Sequence, residues 1–251
     1  LARMGQLIRF IPVTVVIGFT NGIAVVIFLA QIKDFFGLQI DNLPAEFFHR
    51  IKTLAAYAHT VDLPTLGLAS ACFAFLLSYN WLSQRLSLLR RAPGPLVVLI
   101  VGTLVSFLFD LPVETIGSRF HGIPQELPGF GLPDLSIHDF GKLISPAITI
   151  ALLGAIESLL SARVADSQID DRHDPNQELI AQGLANIAAP LFGGFAATGA
   201  IARTTTNVKT GGRTPIAGII HAFVLLGIVL IAAPLASYVP LATLSAIVMV
   251  V

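Results

Sequence analysis

The chain is dominated by apolar stretches that carry almost no charge. Ile8–Ile32, Leu63–Leu82, Pro95–Val113, Leu143–Ala162 and Pro215–Leu235 are of this kind, and Leu241–Val251 begins another. A helix that crosses a bilayer needs about 20 mostly apolar residues. Inside lipid the backbone must satisfy its own hydrogen bonds, which leaves helices and closed barrels as the only spanning structures. Runs of this length read as helices. Composition agrees: 55% of residues are hydrophobic, 12% are charged and mean hydropathy is +0.81, whereas soluble domains carry about 25% charge. The class is therefore an all-α membrane protein. A formal net charge of zero offers no global field for nucleic acid. The single cysteine, Cys72, supports neither a disulfide framework nor a thiolate metal site. No nucleophile–base pair and no metal-ligand spacing appears, so we expect neither an enzyme nor a cofactor or metal. The chain starts at Leu1 and ends inside an apolar run at Val251, so we expect a piece of a longer, transporter-sized protein.

Lys and Arg give an orientation. If the loop with Arg85, Arg90 and Arg91 is cytoplasmic, alternation puts Arg3, Arg9, Arg163, Arg172, Lys209 and Arg213 on the same side. That side holds the larger basic share, as the positive-inside rule expects. Between the first two spans, "NLPAEFFHRIKTLAAY" reads as an amphipathic helix at the outer interface. "GIPQELPGFGLPD" reads as an extended outer loop rich in turn residues. Past the fourth span, Leu179–Phe192 is too short to cross. Residues 195–200 are small and irregular, and Ile201–Thr210 suits a short helix stopped by Gly211 and Gly212.

Two charges stand out because they fall at membrane depth. Glu157 sits well inside a span, and Arg203 sits in the short helix after the irregular stretch. A central charge costs about 2.5–3.5 kcal/mol on insertion scales, and such residues usually face a cavity or pathway. Glu157 lies roughly 20 Å along its helix. Gly154 and Ser161, three residues before it and four after, share its face. A carboxylate with a hydroxyl one turn away suits a coupling proton or Na⁺. The plainer alternative is a structural acid, neutral or paired with Arg203.

Irregular backbone at this depth is tolerated only inside protein or along a watery cavity. A helix starting near Ala200–Ile201 points its free N–H groups and positive dipole end there, which makes an anion site. Gly199, Ala200, Ile201 and Ala202 supply that backbone. Arg203 adds a full charge and Thr204 a hydroxyl. An arginine in a first turn opposes the helix dipole, and a bound anion relieves the conflict. The plainer alternative is an Arg203 that snorkels to the cytoplasmic surface. A P-loop reading of "KTGGRT" fails on spacing and on the absence of a preceding strand. Gln177, Glu178, Gln182 and Asn186 read as packing and capping contacts rather than ligands.

Three segments resemble the SulP anion transporters (solute carrier family 26). "IPVTVVIGFTNGIAVVIFLAQIKDFFG" is similar to that family's fifth helix. "GIPQELPGFGLPD" is similar to its Pro-rich loop before the eighth. The block from "LLGAIESLLSARVADSQ" through "FGGFAATGAIARTTTNVKTGGRTPIAGIIHAFVLL" is similar to helices eight to eleven. The resemblance implies a fold of two inverted seven-helix repeats with core and gate domains, including discontinuous half-helices and short extended stretches. Residues 1–113 would be gate-type helices, 114–142 the outer loop, 143–236 core-type helices, and 237–251 the start of a further gate helix. The partner half-helix facing Ala200, the last helices and the family's cytoplasmic STAS domain would lie outside this chain. The family also implies a homodimer in the bilayer.

Carried over by position, Glu157 falls where family members hold an acid linked to proton or Na⁺ coupling, and Ser161 falls at a nearby hydroxyl position. Arg203 falls where many members carry an arginine beside the anion. The cyanobacterial bicarbonate members look different there, without the arginine and with an aspartate in the eighth helix. Uracil and xanthine permeases share the fold, but their sites are not built around an arginine. The leading expectation is a secondary-active transporter of sulfate or a dicarboxylate, coupled to protons. In it Gly199–Thr204 and Arg203 hold the anion, and Glu157 with Ser161 holds the coupling ion. An uncoupled anion exchanger or channel, or a Na⁺/bicarbonate symporter, is the alternative.

Overall fold

A computed structural model describes residues 13–85, 92–125, 129–132, 137–169 and 171–250. Arg3, Arg9, Arg90, Arg91 and the first residues of the Ile8–Ile32 span lie outside them. The described residues are helical, with one isolated bridge between Thr115 and Pro240. The chain divides into two units: Leu1–Val16 with Glu126–Leu225, and Ile17–Gln125 with Leu226–Val251.

The second unit carries most of α1 (Val13–Phe36), then α2 (Phe47–Ala56), α3 (Leu63–Arg85), α4 (Gly94–Leu108) and the short α5 (Ile116–Phe120). α10 (Ala233–Ala236) and α11 (Leu241–Val250) return to it. Its core joins Phe35, Leu68, Ala69, Cys72, Leu76, Val98, Val113, Ala242 and Ala246. Small residues let these helices approach closely, as membrane packing requires. At Gly102 a Cβ would stand 2.6 Å from Thr243 Oγ1, so α4 and α11 meet backbone against side chain. The helix expected over Pro95–Val113 stops at Leu108. Asp110 takes φ 46°, and Pro112 keeps Leu111 out of the helical region. α2 falls within the expected amphipathic stretch. It buries Leu54 and leaves Phe48 71% exposed.

The segment after α4 is stitched to the one before α11. Ile116 N donates to Val239 O (3.0 Å), Gly117 N to Ser237 O (2.8 Å) and Leu241 N to Glu114 O (2.9 Å). Arg119 closes this clasp. Its guanidinium donates to both Glu114 carboxylate oxygens, and its Nη1 lies 2.8 Å from Asp34 Oδ1 in α1. The Asp34 contact is an ion pair rather than an aligned hydrogen bond, since that oxygen has no hydrogen-bond partner. The Arg119 hydrogen bond holds the Glu114 carboxyl below its ordinary value, against the opposing effect of burial.

The span expected over Pro215–Leu235 is one apolar helical run. α9 (Ile216–Gly227) leads into a π-helical turn, Ile228–Ala232, and then α10. The turn precedes Pro234, which has no N–H to offer the Leu230 carbonyl four residues back. That carbonyl accepts from Gln125 Nε2 at 3.3 Å.

The first unit holds α6 (Ile137–Ile169), α7 (Pro175–Ala188), a 3-10 turn (Ala189–Phe192), α8 (Ile201–Lys209) and most of α9. Asp174 caps α7, its Oδ1 accepting from Asn176 N (2.8 Å) and Gln177 N (3.2 Å), with Pro175 at the first helical position. The α6–α7 turn is fastened by His173, whose backbone N and Nδ1 both bond Asp166, at 3.1 and 2.7 Å. Gly193 at φ 70° ends the 3-10 turn. Residues 195–200 then run without helix to the start of α8.

Candidate functional site

α6 presents a polar face in the middle of its apolar sequence. Gly154, Glu157, Ser158 and Ser161 fall within about two turns on one face, and all but Glu157 are buried. Buried hydroxyls need partners, and these find them in the irregular segment and in α8. Ser158 Oγ accepts from Gly199 N (3.2 Å), and Ser161 Oγ donates to Thr204 Oγ1 (2.7 Å). Thr198 Oγ1 donates to Glu157 Oε2 at 2.8 Å. The three contacts run in register, so residues 198–204 are laid along α6.

Glycines permit that approach. A Cβ on Gly154 would meet Thr198 Cγ2 at 3.2 Å, and one on Gly199 would touch Ser158 Cα and Ser161 Cβ at 3.4 Å. On its other side the segment is held by α7. Asn186 Nδ2 donates to Ala197 O (3.0 Å), Ala197 N donates to Asn186 Oδ1 (2.8 Å), and Gln182 Nε2 donates to the same carbonyl. Gln182 and Asn186 thus act as amides that replace a strand neighbour for an isolated extended backbone.

The segment delivers an open helix end. Ala200 is the N-cap of α8, at φ −90° and ψ 116°, and its side chain offers no cap. Thr204 N bonds Ala200 O at 3.0 Å, so the amides of Ile201, Ala202 and Arg203 have no helical acceptor. Arg203 is exposed, and it makes no ion pair or hydrogen bond among the described residues. In particular, Glu157 and Arg203 are not paired. The expected residues are therefore brought together in one unit, but with two arrangements the sequence did not suggest. Ser161 and Thr204, read separately as coupling-ion and substrate groups, bond each other. Thr198 and Ser158, read as neither, are the ones that reach Glu157 and Gly199. A run of adjacent polar residues on α6, Glu157-Ser158, was the only available signal for Ser158. Among the described residues no cluster of three or more His, Cys, Asp or Glu is arranged to hold a metal.

The chain matches the family model described as the sulfate permease family over residues 1–251. It is 42% identical over its whole length to YvdB of Bacillus subtilis (strain 168), covering 46% of that protein. It is 33% identical over 98% of its length to the bicarbonate transporter BicA of Synechocystis sp. (strain ATCC 27184 / PCC 6803 / Kazusa), covering 42% of it. The chain thus spans about half the length of these curated relatives. Among solved structures, the transmembrane domain of a cyanobacterial bicarbonate transporter BicA superposes with TM-score 0.82 at 29% identity, covering 98% of this chain and 62% of that one. The structure of SLC26A9, at TM-score 0.80 and 21% identity, shares the fold. The described helices over Gly141–Ile169 and Ile216–Ala236 are long and apolar enough to cross a membrane, as an integral multi-pass membrane protein of this all-α fold requires. A chain matched from end to end by the family model belongs to the sulfate permease family, a family of membrane transporters and not of enzymes.

Proposed function

We propose that this chain is part of a secondary-active transporter of a small anion, sulfate or a dicarboxylate, with proton symport. One observation carries the reading: the open N-terminus of α8, with an unpaired Arg203 in its first turn, is laid against the face of α6 that bears Glu157. Three free amides and a guanidinium form an anion-binding set. Oxyanions suit it because amides and guanidinium offer only donors. Glu157, held by a hydroxyl rather than by Arg203, is free to exchange a proton in step with the anion. The family description, which names sulfate, supports the choice of substrate. In this reading residues 143–236 supply the moving core and the remaining helices the gate, although Leu226–Ala236 cluster with the gate-type helices.

The test is uptake by the full-length protein in proteoliposomes, with labelled sulfate, bicarbonate and fumarate at two external pH values. Glu157→Gln is expected to abolish the pH dependence of uptake while anion binding persists. Normal pH-dependent uptake by this variant would refute the coupling role. Similarity to the bicarbonate transporter BicA favours a second substrate, bicarbonate, taken here with Na⁺ as the coupling ion. In that case the oxygens of Glu157, Ser161 and Thr204 serve the cation, and uptake follows the Na⁺ gradient and not pH.

A further inference from the structure

We infer that Thr198 is the positioning residue that links the protonation of Glu157 to the anion-holding end of α8. The inference rests on the proton-coupled reading above. Thr198 is fixed from both sides. The residue before it, Ala197, is clamped to α7 by Asn186 and Gln182, and the residue after it, Gly199, donates its N–H to Ser158 Oγ on α6. Its hydroxyl is thereby aimed at Glu157, with Oγ1 2.8 Å from Oε2. Two residues on lies Ala200, the N-cap of α8. Among the described residues, Thr198 is the one recorded as bonding the Glu157 carboxylate, and its backbone leads directly into α8.

The chemistry of a hydroxyl suits this place. It donates to a carboxylate and can turn to accept from a carboxylic acid, so it stays bonded in both states but with its own proton pointing differently. Donation to the ionised form is the stronger arrangement. Ionised Glu157 therefore holds Thr198 tightly, and protonation loosens the hold on the backbone that leads into α8. Among residues with described side chains, the other charged and titratable groups on the packed elements are Lys142, Arg163 and Asp166 on α6, Glu178 on α7 with its cap Asp174, and Arg203 and Lys209 on α8. None makes an ion pair with Glu157 among the described residues. Asp166 is taken up by His173. The Thr198 hydroxyl is thus the polar contact through which a change at Glu157 reaches the helix end.

The experiment uses the full-length protein in proteoliposomes, with labelled sulfate uptake measured against external pH for wild type, Thr198→Val, Thr198→Ser, Glu157→Gln and the Thr198→Val/Glu157→Gln double variant. The hydroxyl joins the Glu157 carboxylate to the backbone that leads into α8, so its removal separates the two. Thr198→Val is expected to move the midpoint of the uptake profile by about one pH unit, a roughly tenfold change in proton activity. The sulfate KM at the optimum pH should change less than about threefold, because the donors of α8 remain. Thr198→Ser should restore the profile, and Thr198→Val should add nothing in the Glu157→Gln background. An unmoved midpoint in Thr198→Val, failure of serine to rescue, or an equal effect without the Glu157 carboxylate overturns the inference. The reading beneath it fails separately, by retention of pH dependence in Glu157→Gln alone. If Thr198→Val lowers expression, Thr198→Ala in the wild-type and Glu157→Gln backgrounds makes the same comparison, since it also removes the hydroxyl.

Discussion

Replacing Ser161 with alanine removes a donor whose single recorded partner is Thr204, and the consequence can be worked from the geometry. Ser161 is 3% exposed, and its Oγ lies 2.7 Å from Thr204 Oγ1, at the centre of the range for O–H···O bonds. A neutral hydrogen bond of this kind contributes about 0.5–1.5 kcal/mol net. Thr204 is half-buried, so its hydroxyl finds water only in part, which places Ser161→Ala near about 1 kcal/mol. Thr204→Val strands the more deeply buried Ser161 hydroxyl, which can fall back on the Glu157 backbone carbonyl four residues earlier; its effect is again about 1 kcal/mol. The double variant puts an apolar pair where a polar pair stood. Its loss should fall short of the sum of the single variants by about 0.5–1.5 kcal/mol. Amide hydrogen exchange over α8 in the full-length protein is the right assay, because a local loss of about 1.4 kcal/mol appears there as roughly tenfold faster exchange. Additive single effects, within about 0.3 kcal/mol, would refute the bond and return both hydroxyls to the role of ligand groups. So would a Ser161→Ala variant with unchanged α8 exchange and a tenfold higher KM for sulfate.

Gly102→Ala forces a Cβ to 2.6 Å from Oγ1 of the fully buried Thr243 and 3.2 Å from Cys72 Sγ. Overpacking of this kind costs about 1–3 kcal/mol. Thermal unfolding should fall by roughly 2–4 °C per kcal/mol, and a Thr243→Ala background should remove most of the difference. Glu114 in the folded protein lies below its ordinary value of 4.5 because Arg119 bonds it. Its contribution is therefore complete above the ordinary carboxylate range and lost as pH falls through the folded value. Melting curves from about pH 6 to pH 3 should show wild type converging on Glu114→Gln at the acid end; parallel curves would sink the assignment.

Periodicity and chain length made the helices legible because lipid leaves few alternatives. α3 and α6 cover their expected spans, and α8 starts at the expected Ile201 and ends before the Gly211-Gly212 stop, whereas α7 starts at Pro175, ahead of the expected Leu179. Boundaries failed where a tertiary partner decides. α4 stops short of Pro112, and the residues beyond it pair with those before α11, a contact across more than a hundred residues that the apolar run alone does not announce. The π turn before Pro234 was likewise hidden, although Pro234 itself was visible. At the site, the sequence picked out charges and the open helix end because both are anomalous at membrane depth. It did not assign the hydroxyls. Serine and threonine are ordinary in membrane helices, and their partners are set by which turn of α6 meets which residue of the irregular segment. Thr198 carries no anomaly in sequence at all.

The separation of Glu157 from Arg203 has a physical consequence for how such a site works. Two unlike charges at membrane depth would be expected to find each other, since a paired charge is far cheaper there than an isolated one. Here each is kept from that solution by what surrounds it. Glu157 is claimed by the Thr198 hydroxyl, and Arg203 leaves α8 on the exposed side while Thr204, its neighbour, turns inward to Ser161. Successive residues on a helix diverge by about 100°, so one turn of α8 cannot both bond α6 through Thr204 and bring Arg203 to the same point. An internal ion pair would satisfy the guanidinium and remove the reason for an anion to enter. Keeping the pair apart leaves the helix end electropositive and, in the proposed reading, leaves the carboxylate to take its counter-charge as a proton or a cation. The hydroxyl ladder along α6 is thus more than glue: by fixing the rotation of α8 it keeps Arg203 exposed, as the proposed anion site requires.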